Sequence, residues 1–306
     1  MRVAFFTHYT ELYGANRSLL NLIDGLRSKG LEPFVFAPAN GDITEVLEKM
    51  GVPVAITACP WWVSGRPKKS GFWGRLGAHL LWRRDSLWRL FQCFLALPRV
   101  ARQLNRWDVE LVYTNSAVIS LGALVAALSR RPHVWHLREF CDLDYGLEFD
   151  WGMKAVSFIS HSDAVISVSD AIDAYHMGKF TNSNRHVVYN GVLAEKEIDE
   201  LRQEVLLKNK KRGSLYTFAI LGFIHPNKGQ VEAIHAIAEV TKVFPECRLV
   251  IAGDGHFEPL KALSAELGVE DKVEFLGFIK NPFEVFLKAD AVLMCSKHEA
   301  MGRVTV

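Results

Sequence analysis

The sequence lacks any cysteine pair at C-x-x-C spacing. Its five cysteines, Cys59, Cys93, Cys141, Cys247 and Cys295, are scattered and odd in number. Such a set makes neither a disulfide framework nor a thiolate metal site, and a reducing cytoplasm is the compartment it implies. No apolar run has the length of a membrane span. The longest nearly uncharged one, 116–129, has that of a buried helix. The opening MRVAFFTHYTELYG carries one basic residue and too short an apolar run for a secretory leader. Excess charge of one sign is missing too: 36 Lys and Arg against 34 Asp and Glu leave +2, which excludes a uniformly basic nucleic-acid binder. There is no G-x-S-x-G elbow, no H-E-x-x-H and no Walker A run. Repeats of solenoid period and low-complexity tracts are absent as well.

What is present is a recurring unit: a short apolar strand, a turn, then a helix. VAFFTH (3–8), PFVFAP (33–38), PVAIT (53–57), VELVYTN (109–115), HVWHL (133–137) and DAVISVS (163–169) read as strands. Helices are expected over 18–30, with Gly30 at the C′ position, and over 42–51, with Asp42 as its cap. After a charged stretch at 192–213 the alternation resumes. YTFAILGF (216–223), RLVIAGDG (248–255), KVEFLGF (272–278) and DAVLMCS (290–296) are strands, separated by helices over 231–244 and 257–268. Strands apolar throughout and separated by helices indicate parallel sheets covered on both faces. The chain therefore reads as α/β, with two Rossmann-like domains, 1–191 and 214–306, joined by a charged linker or helix at 192–213. Ligands on such sheets bind beyond the carboxyl ends of the strands, so residues just after strands are the candidates.

Several candidates stand at such positions. Gly14 permits a tight turn after the first strand, and Asn16 helps open the next helix, whose free N–H groups suit phosphate. His136, beside Arg138 and Glu139, ends a strand and can bond a substrate hydroxyl or stabilise developing charge. Gly222 lets backbone approach a ligand, and Lys228 is a point charge for phosphate near the next helix. Gly253 and Gly255 form half of a dinucleotide fingerprint. Glu299 follows a strand and can accept hydrogen bonds from hydroxyls, and Gly302 lets main-chain N–H groups near an anion. Each also has a plain structural reading as turn, cap or solvated charge. Asp142 and Asp144 form a D-x-D triplet of the kind that suits a hard cation, but it follows the histidine strand in a two-sheet protein. It reads as a solvated acidic loop, and no metal is expected.

The order of these segments along one chain resembles the retaining glycosyltransferases of family 4 (glycosyl transferase group 1), which have the two-domain GT-B fold. YGANR looks like the family's Gly-Gly-x-Glu-Arg loop, and HVWHLRE like its histidine strand. SDAVISVSDAI and VVYNGV resemble the segments closing the first domain. LGFIHPNKGQ looks like the family's loop in which Gly-Arg is followed by Lys-Gly, and LVIAGDG, VEFLGF and ADAVLMCSKHEAMG follow in the family's order. The resemblance implies two lobes facing across a cleft and transfer, with retention, of a sugar from a nucleotide-diphosphate donor to a glycan or lipid-linked acceptor. Polysaccharide synthesis at the cell surface is the implied setting, with the donor as substrate and no cofactor. It implies that Glu299 holds donor-sugar hydroxyls, that Lys228 and the N–H groups near Gly302 neutralise the diphosphate, that His136 faces the sugar or acceptor, and that Gly14 lets its loop reach the phosphates. Glu299 matches the first glutamate of the family's Glu-x7-Glu motif. The second would fall just past Val306, so the chain is expected to be truncated within that motif, with its second domain incomplete. Tyr13, Asn16 and Phe223 depart from the family pattern, and Phe223 stands where an arginine would share the diphosphate with Lys228. A non-catalytic nucleotide-sugar-binding or scaffold protein on the same fold is the alternative that these departures favour.

The segment 61–107 holds six of the eight tryptophans and ten Lys or Arg, but one acid, Asp85. Much of it is amphipathic at helical spacing, with Arg83, Arg84 and Arg89 on a polar side and Leu81, Trp88 and Leu95 on an apolar one. It reads either as a helix lying on an anionic membrane surface or as a core-packed helix with exposed arginines. A nucleic-acid-binding belt is a third reading, though no nucleic acid is expected as partner. The location expected is cytoplasmic, peripheral on the inner face of the membrane.

Overall fold

A computed structural model describes residues 1–66, 72–177, 182–193, 195–209 and 214–304. In it the chain divides into two units, Met1–Val192 and Leu193–Val306. The first unit runs, in chain order, β1 (Arg2–Phe6), α1 (Gly14–Arg27), β2 (Glu32–Ala37), α2 (Asp42–Lys49), β3 (Val54–Ile56), β4 (Val63–Gly65), α3 (Phe72–Arg106), β5 (Leu111–Thr114), α4 (Leu121–Ser129), β6 (His133–Leu137), α5 (Asp142–Tyr145), β7 (Leu147–Phe149), α6 (Met153–Ser160), β8 (Ala164–Ser167), α7 (Asp170–Met177) and β9 (Arg185–Val187). Seven of the strands form one parallel sheet in the order β3-β2-β1-β5-β6-β8-β9, while β4 and β7 pair antiparallel beside it. The interior strand β1 shows why both faces are covered. Val3 and Phe5 pack with Leu19 and Ile23 of α1 and Ile43 and Leu47 of α2. Their neighbour Phe6 points the other way, stacks on Phe36 and meets α4 at Gly122. Alternate residues thus serve opposite helical layers.

Local chemistry sets the helix ends. Gly30, at φ +84°, closes α1 with a Schellman pair: its N–H donates to Arg27 and that of Leu31 to Leu26. Helix α1 starts at Gly14, four residues ahead of the expected start, because Tyr13 already has the extended backbone of a cap. Asp42 is the first residue of α2 rather than its cap. Gly41 takes that place, and its N–H donates to the Thr44 hydroxyl at 3.0 Å. The D-x-D triplet is not a solvated loop. It lies in α5, where Asp142 accepts from the Tyr175 hydroxyl and Asp144, 8% exposed, accepts from the Phe140 N–H. All five cysteines are free and all but Cys295 are buried. Burial pushes the Cys59 thiol up to about 12 and that of Cys93 up to about 11.

The second unit contains α8 (Glu195–Asn209), β10 (Tyr216–Leu221), α9 (Gln230–Val243), β11 (Cys247–Ala252), α10 (Glu258–Glu266), β12 (Val273–Gly277), α11 (Phe283–Phe286) and β13 (Ala291–Val292). Its parallel sheet has the order β12-β11-β10-β13. The charged stretch at 192–213 thus contains a helix, while residue 194 and residues 210–213 lie outside the described part. The strand expected over 290–296 is cut to two residues. The Asp290 carboxylate accepts from the Thr217 N–H at 2.7 Å and fixes its start, and the last ladder bond runs from Leu293 to Ala219. Beyond it the chain turns to pack against Gly229 instead.

Candidate functional site

In the second unit the chain goes from β10 leftward through β11 to β12, then returns to the other side of β10 as β13. The point where a doubly wound sheet changes direction opens a crevice at the carboxyl ends of the two strands on either side. Here those strands are β10 and β13. Lys228 follows the first and Glu299 the second, and Lys228 Nζ donates to Glu299 Oε2 at 2.7 Å. Both side chains are partly buried, at 22% and 29% exposure, so the pair is open on one side.

The loops that carry the pair touch through backbone. Gly229, at φ +78°, is the cap of α9, and a Cβ there would fall 2.3 Å from the Cys295 carbonyl oxygen. Gly253, at φ +155°, lies so close to Gly222 that a Cβ would stand 1.8 Å from its carbonyl oxygen. Only glycine satisfies both demands. Ile224 N–H donates to the Asp254 carbonyl at 2.7 Å and Lys297 N–H to that of Asn227 at 2.9 Å. Gly255 packs against Ile224, and Gly302, buried and at φ +68°, lies three residues beyond Glu299. The structure therefore gathers Gly222, Lys228, Gly253, Gly255 and Glu299 at one end of one sheet. Phe223, 45% exposed, sits among them. The group can hold an anion beside Lys228 and offer Glu299 as an acceptor for hydroxyls.

The first unit has its own change of direction, between β1 and β5. Thr7 and His8 follow β1, Asn115 and Ser116 follow β5, and Arg138 and Glu139 follow β6. Asn16 is fully buried and faces inward. Its side-chain oxygen accepts from the Thr7 hydroxyl, and its Nδ2 donates to the carbonyls of Tyr9 and Glu11. It shapes the loop that ends at Gly14, which is the exposed first residue of α1. Arg138 donates to Asn115 Oδ1 at 2.8 Å and to Asn190 Oδ1 at 2.7 Å. His136, 4% exposed, shares a hydrogen bond between Nδ1 and the Tyr113 hydroxyl, and its Nε2 has no partner among the described residues. Burial, with the Arg138 charge second, holds its pKa well below 6.5, so the ring is neutral. His136 and Arg138 line a hollow of about 280 Å³ between α1 and residues 188–191.

Two more groups belong to this cluster: Glu139, which the sequence offered only as a neighbour of His136, and His8, which it did not single out. Glu139 accepts from the Ser116 hydroxyl at 2.9 Å, and burial lifts its carboxyl to about 7. A carboxyl poised there can take or give a proton at neutral pH. His8, 7% exposed, is held down to about 3 by burial first and by Arg138 second, and its Nδ1 has no partner among the described residues. Both stand just after strands, so position alone could have flagged them. Their environments come from residues distant in the chain. Among the described residues, no three His, Cys, Asp or Glu side chains cluster as metal ligands would.

Residues 13–196 match the family model described as Glycosyltransferase Family 4, and residues 198–306 match that of glycosyl transferases group 1. The alpha-monoglucosyldiacylglycerol synthase of Acholeplasma laidlawii is 23% identical over 99% of this chain and 76% of its own length. An uncharacterised glycosyltransferase of Methanocaldococcus jannaschii is 29% identical over 36% of this chain, which spans only 29% of that relative. Among solved structures, HepE of Anabaena, in complex with UDP and glucose, superimposes with a TM-score of 0.70 at 21% identity, covering 99% of this chain and 77% of that one. The architecture shared with it is that of the GT-B glycosyltransferases.

Proposed function

The chain belongs to glycosyltransferase family 4, and from that premise we propose that it moves a sugar from a nucleotide-diphosphate donor to a glycan or lipid-linked acceptor, with retention at the anomeric carbon. The observation that carries this reading is the Lys228–Glu299 pair at the direction change of the second sheet. Departure of the nucleoside diphosphate is the demanding step, and the site must meet charge growing on its oxygens. Lys228 supplies the cation, and the N–H groups around Gly302 supply dipoles. Glu299, released as Lys228 turns to the phosphates, accepts hydrogen bonds from the sugar. Gly222, Gly253 and Gly255 keep side chains away from the nucleotide. In the first unit the loop at Gly14 and the neutral ring of His136, whose Nε2 has no partner among the described residues, are the groups proposed to meet phosphate and sugar or acceptor respectively. Asn16 supports that loop from within. The UDP and glucose in HepE and the lipid product named for the Acholeplasma relative support a nucleotide-sugar donor and a lipid-linked acceptor. The setting proposed is the cytoplasmic face of a membrane, in glycolipid or polysaccharide synthesis.

Exposed Phe223 favours a second reading, in which the chain binds nucleotide sugars without transferring them. Saturation-transfer NMR with a panel of UDP-, GDP- and ADP-sugars, followed by radiolabel transfer to lipid and glycan extracts, separates the two. Binding with transfer supports the enzyme. Binding without transfer supports the second reading, and no binding to any donor overturns both.

A further inference from the structure

Helix α3 is apolar on two opposite sides, and among the described residues one of them is buried while the other is largely exposed. Ala78, Ser86, Cys93, Leu97, Val100 and Leu104 face inward and are buried. Arg89 also faces inward, against expectation, and pairs with buried Asp150 at 2.6 Å. The other side carries Trp73, Leu80, Leu87, Trp88, Phe91 and Leu95, each between 49% and 80% exposed. Their spacing in steps of three, four and seven keeps them on one sector of the helix. Leu81, Trp88 and Leu95, which could have been core, are exposed at 52%, 57% and 63%. Soluble surfaces rarely present so large a contiguous apolar stripe without a partner.

Charge identifies the partner. By helical geometry Arg84 and Arg102 fall within the same sector, and Arg83 and Arg99 border it; all four are exposed. The one acid of the segment, Asp85, is taken by Arg84 at 2.8 Å. A second copy docked on this face about a two-fold axis would set arginines against arginines, with no free acid to receive them. A nucleic acid would satisfy the arginines and leave the leucines in water. An anionic lipid surface satisfies both: acyl chains take Trp, Phe and Leu, and headgroup phosphates take the guanidinium groups, whose stems lie along the apolar stripe. No helix of the described residues is long and apolar enough to cross a membrane, so this one lies along it.

We propose that the outer face of α3 docks the chain on an anionic membrane, with Trp88, Phe91 and Leu95 in the acyl boundary and Arg99 and Arg102 at the phosphates. The proposal needs no donor and stands apart from the transfer reading. Its test is flotation, without nucleotide sugar, on vesicles of phosphatidylcholine alone and of phosphatidylcholine mixed equally with phosphatidylglycerol. The expected result is binding to the mixed vesicles, weakened at least roughly tenfold by Arg99→Glu with Arg102→Glu and by Leu87→Ser with Phe91→Ser. Circular dichroism checks that each variant folds. Should either fail to fold, quenching of the unaltered chain's tryptophans by brominated lipid gives the answer instead. Absent flotation, flotation that both folded variants retain, no quenching, or a dimer in solution that the Leu87/Phe91 variant abolishes would each overturn the proposal. So would binding to single-stranded DNA tighter than to the vesicles.

Discussion

Lys228 and Glu299 lie 71 residues apart in the chain and 2.7 Å apart in space. Each is the other's counter-ion. Under the proposed function a diphosphate would compete with a carboxylate for one ammonium. Lys228→Ala should weaken binding of a nucleoside diphosphate by one charge-assisted contact, about 1.5–3 kcal/mol or roughly ten- to a hundredfold. Glu299→Gln frees Lys228 and should leave diphosphate binding equal or tighter, while removing sugar transfer. Titration of both variants with UDP and GDP by calorimetry checks this. Equal loss in the two would dissociate the lysine from the phosphate.

The contact of Gly253 with Gly222 is backbone on backbone. A methyl group at 253 has no room and an unfavourable φ. Gly253→Ala should cost on the order of 2–4 kcal/mol and misplace the loop before α9. Gly25, with open space around it, is the control, and Gly25→Ala should not destabilise the chain. Urea unfolding followed in both variants decides; parity between them would refute the close approach.

Stability should fall steeply in mild acid. His8 and His133 sit at about 3, and His136 lies well below 6.5, all because burial penalises the charged ring. Folded, they stay neutral; unfolded, they take up protons below 6.5. Their contribution is present above 6.5 and lost as the pH falls. Glu139 acts in the opposite sense. Its pKa, raised from 4.5 to about 7, makes its contribution largest below 4.5 and smaller as pH rises through 7. Between 4.5 and 6.5 the buried rings favour the unfolded chain by more protons than Glu139 favours the folded one, so stability should rise with pH, by a few kcal/mol over the interval. Glu139→Gln removes the opposing proton and should steepen the slope, by on the order of 1 kcal/mol per unit. Chemical denaturation across this interval measures both, and a flat profile would contradict the buried neutral state.

Arg89 is the inward clasp of α3. Asp150 is fully buried, and Ser64 also bonds to it. Arg89→Ala leaves that carboxylate without its cation and should cost about 3 kcal/mol. Arg89→Ala together with Asp150→Asn should recover much of the loss. A thermal melt of the single and double variants tests this, and additive losses would rule the clasp out.

Much of the plan was legible because it rests on local rules. The run HVWHL became β6 at its expected bounds, and the Schellman pair at Gly30 is a two-residue matter. The order of motifs was enough to identify the family. What escaped was whatever depends on partners far along the chain. Arg89 reads as one more polar-side arginine until Asp150 is seen against it. Asn16 reads as a helix opener until Thr7, Tyr9 and Glu11 take its amide. Glu139 has an ordinary carboxyl in sequence; burial lifts it, and the groups that bond to it, Ser116 and Ala117, are distant in the chain. Helix α3 misled in a subtler way. A single hydrophobic periodicity cannot distinguish the face that packs from the face left outside when both sides are apolar.

The five free thiols have a practical consequence. Cys59 and Cys93 titrate far above neutrality, and the other three are buried or half-buried, with Cys247 and Cys295 also pushed upward. A maleimide or spin-label reagent at neutral pH should meet almost no native thiolate. One reporter cysteine placed by Leu95→Cys would then be the fast-reacting site, so bilayer depth and docking kinetics can be followed on a chain that keeps its natural cysteines.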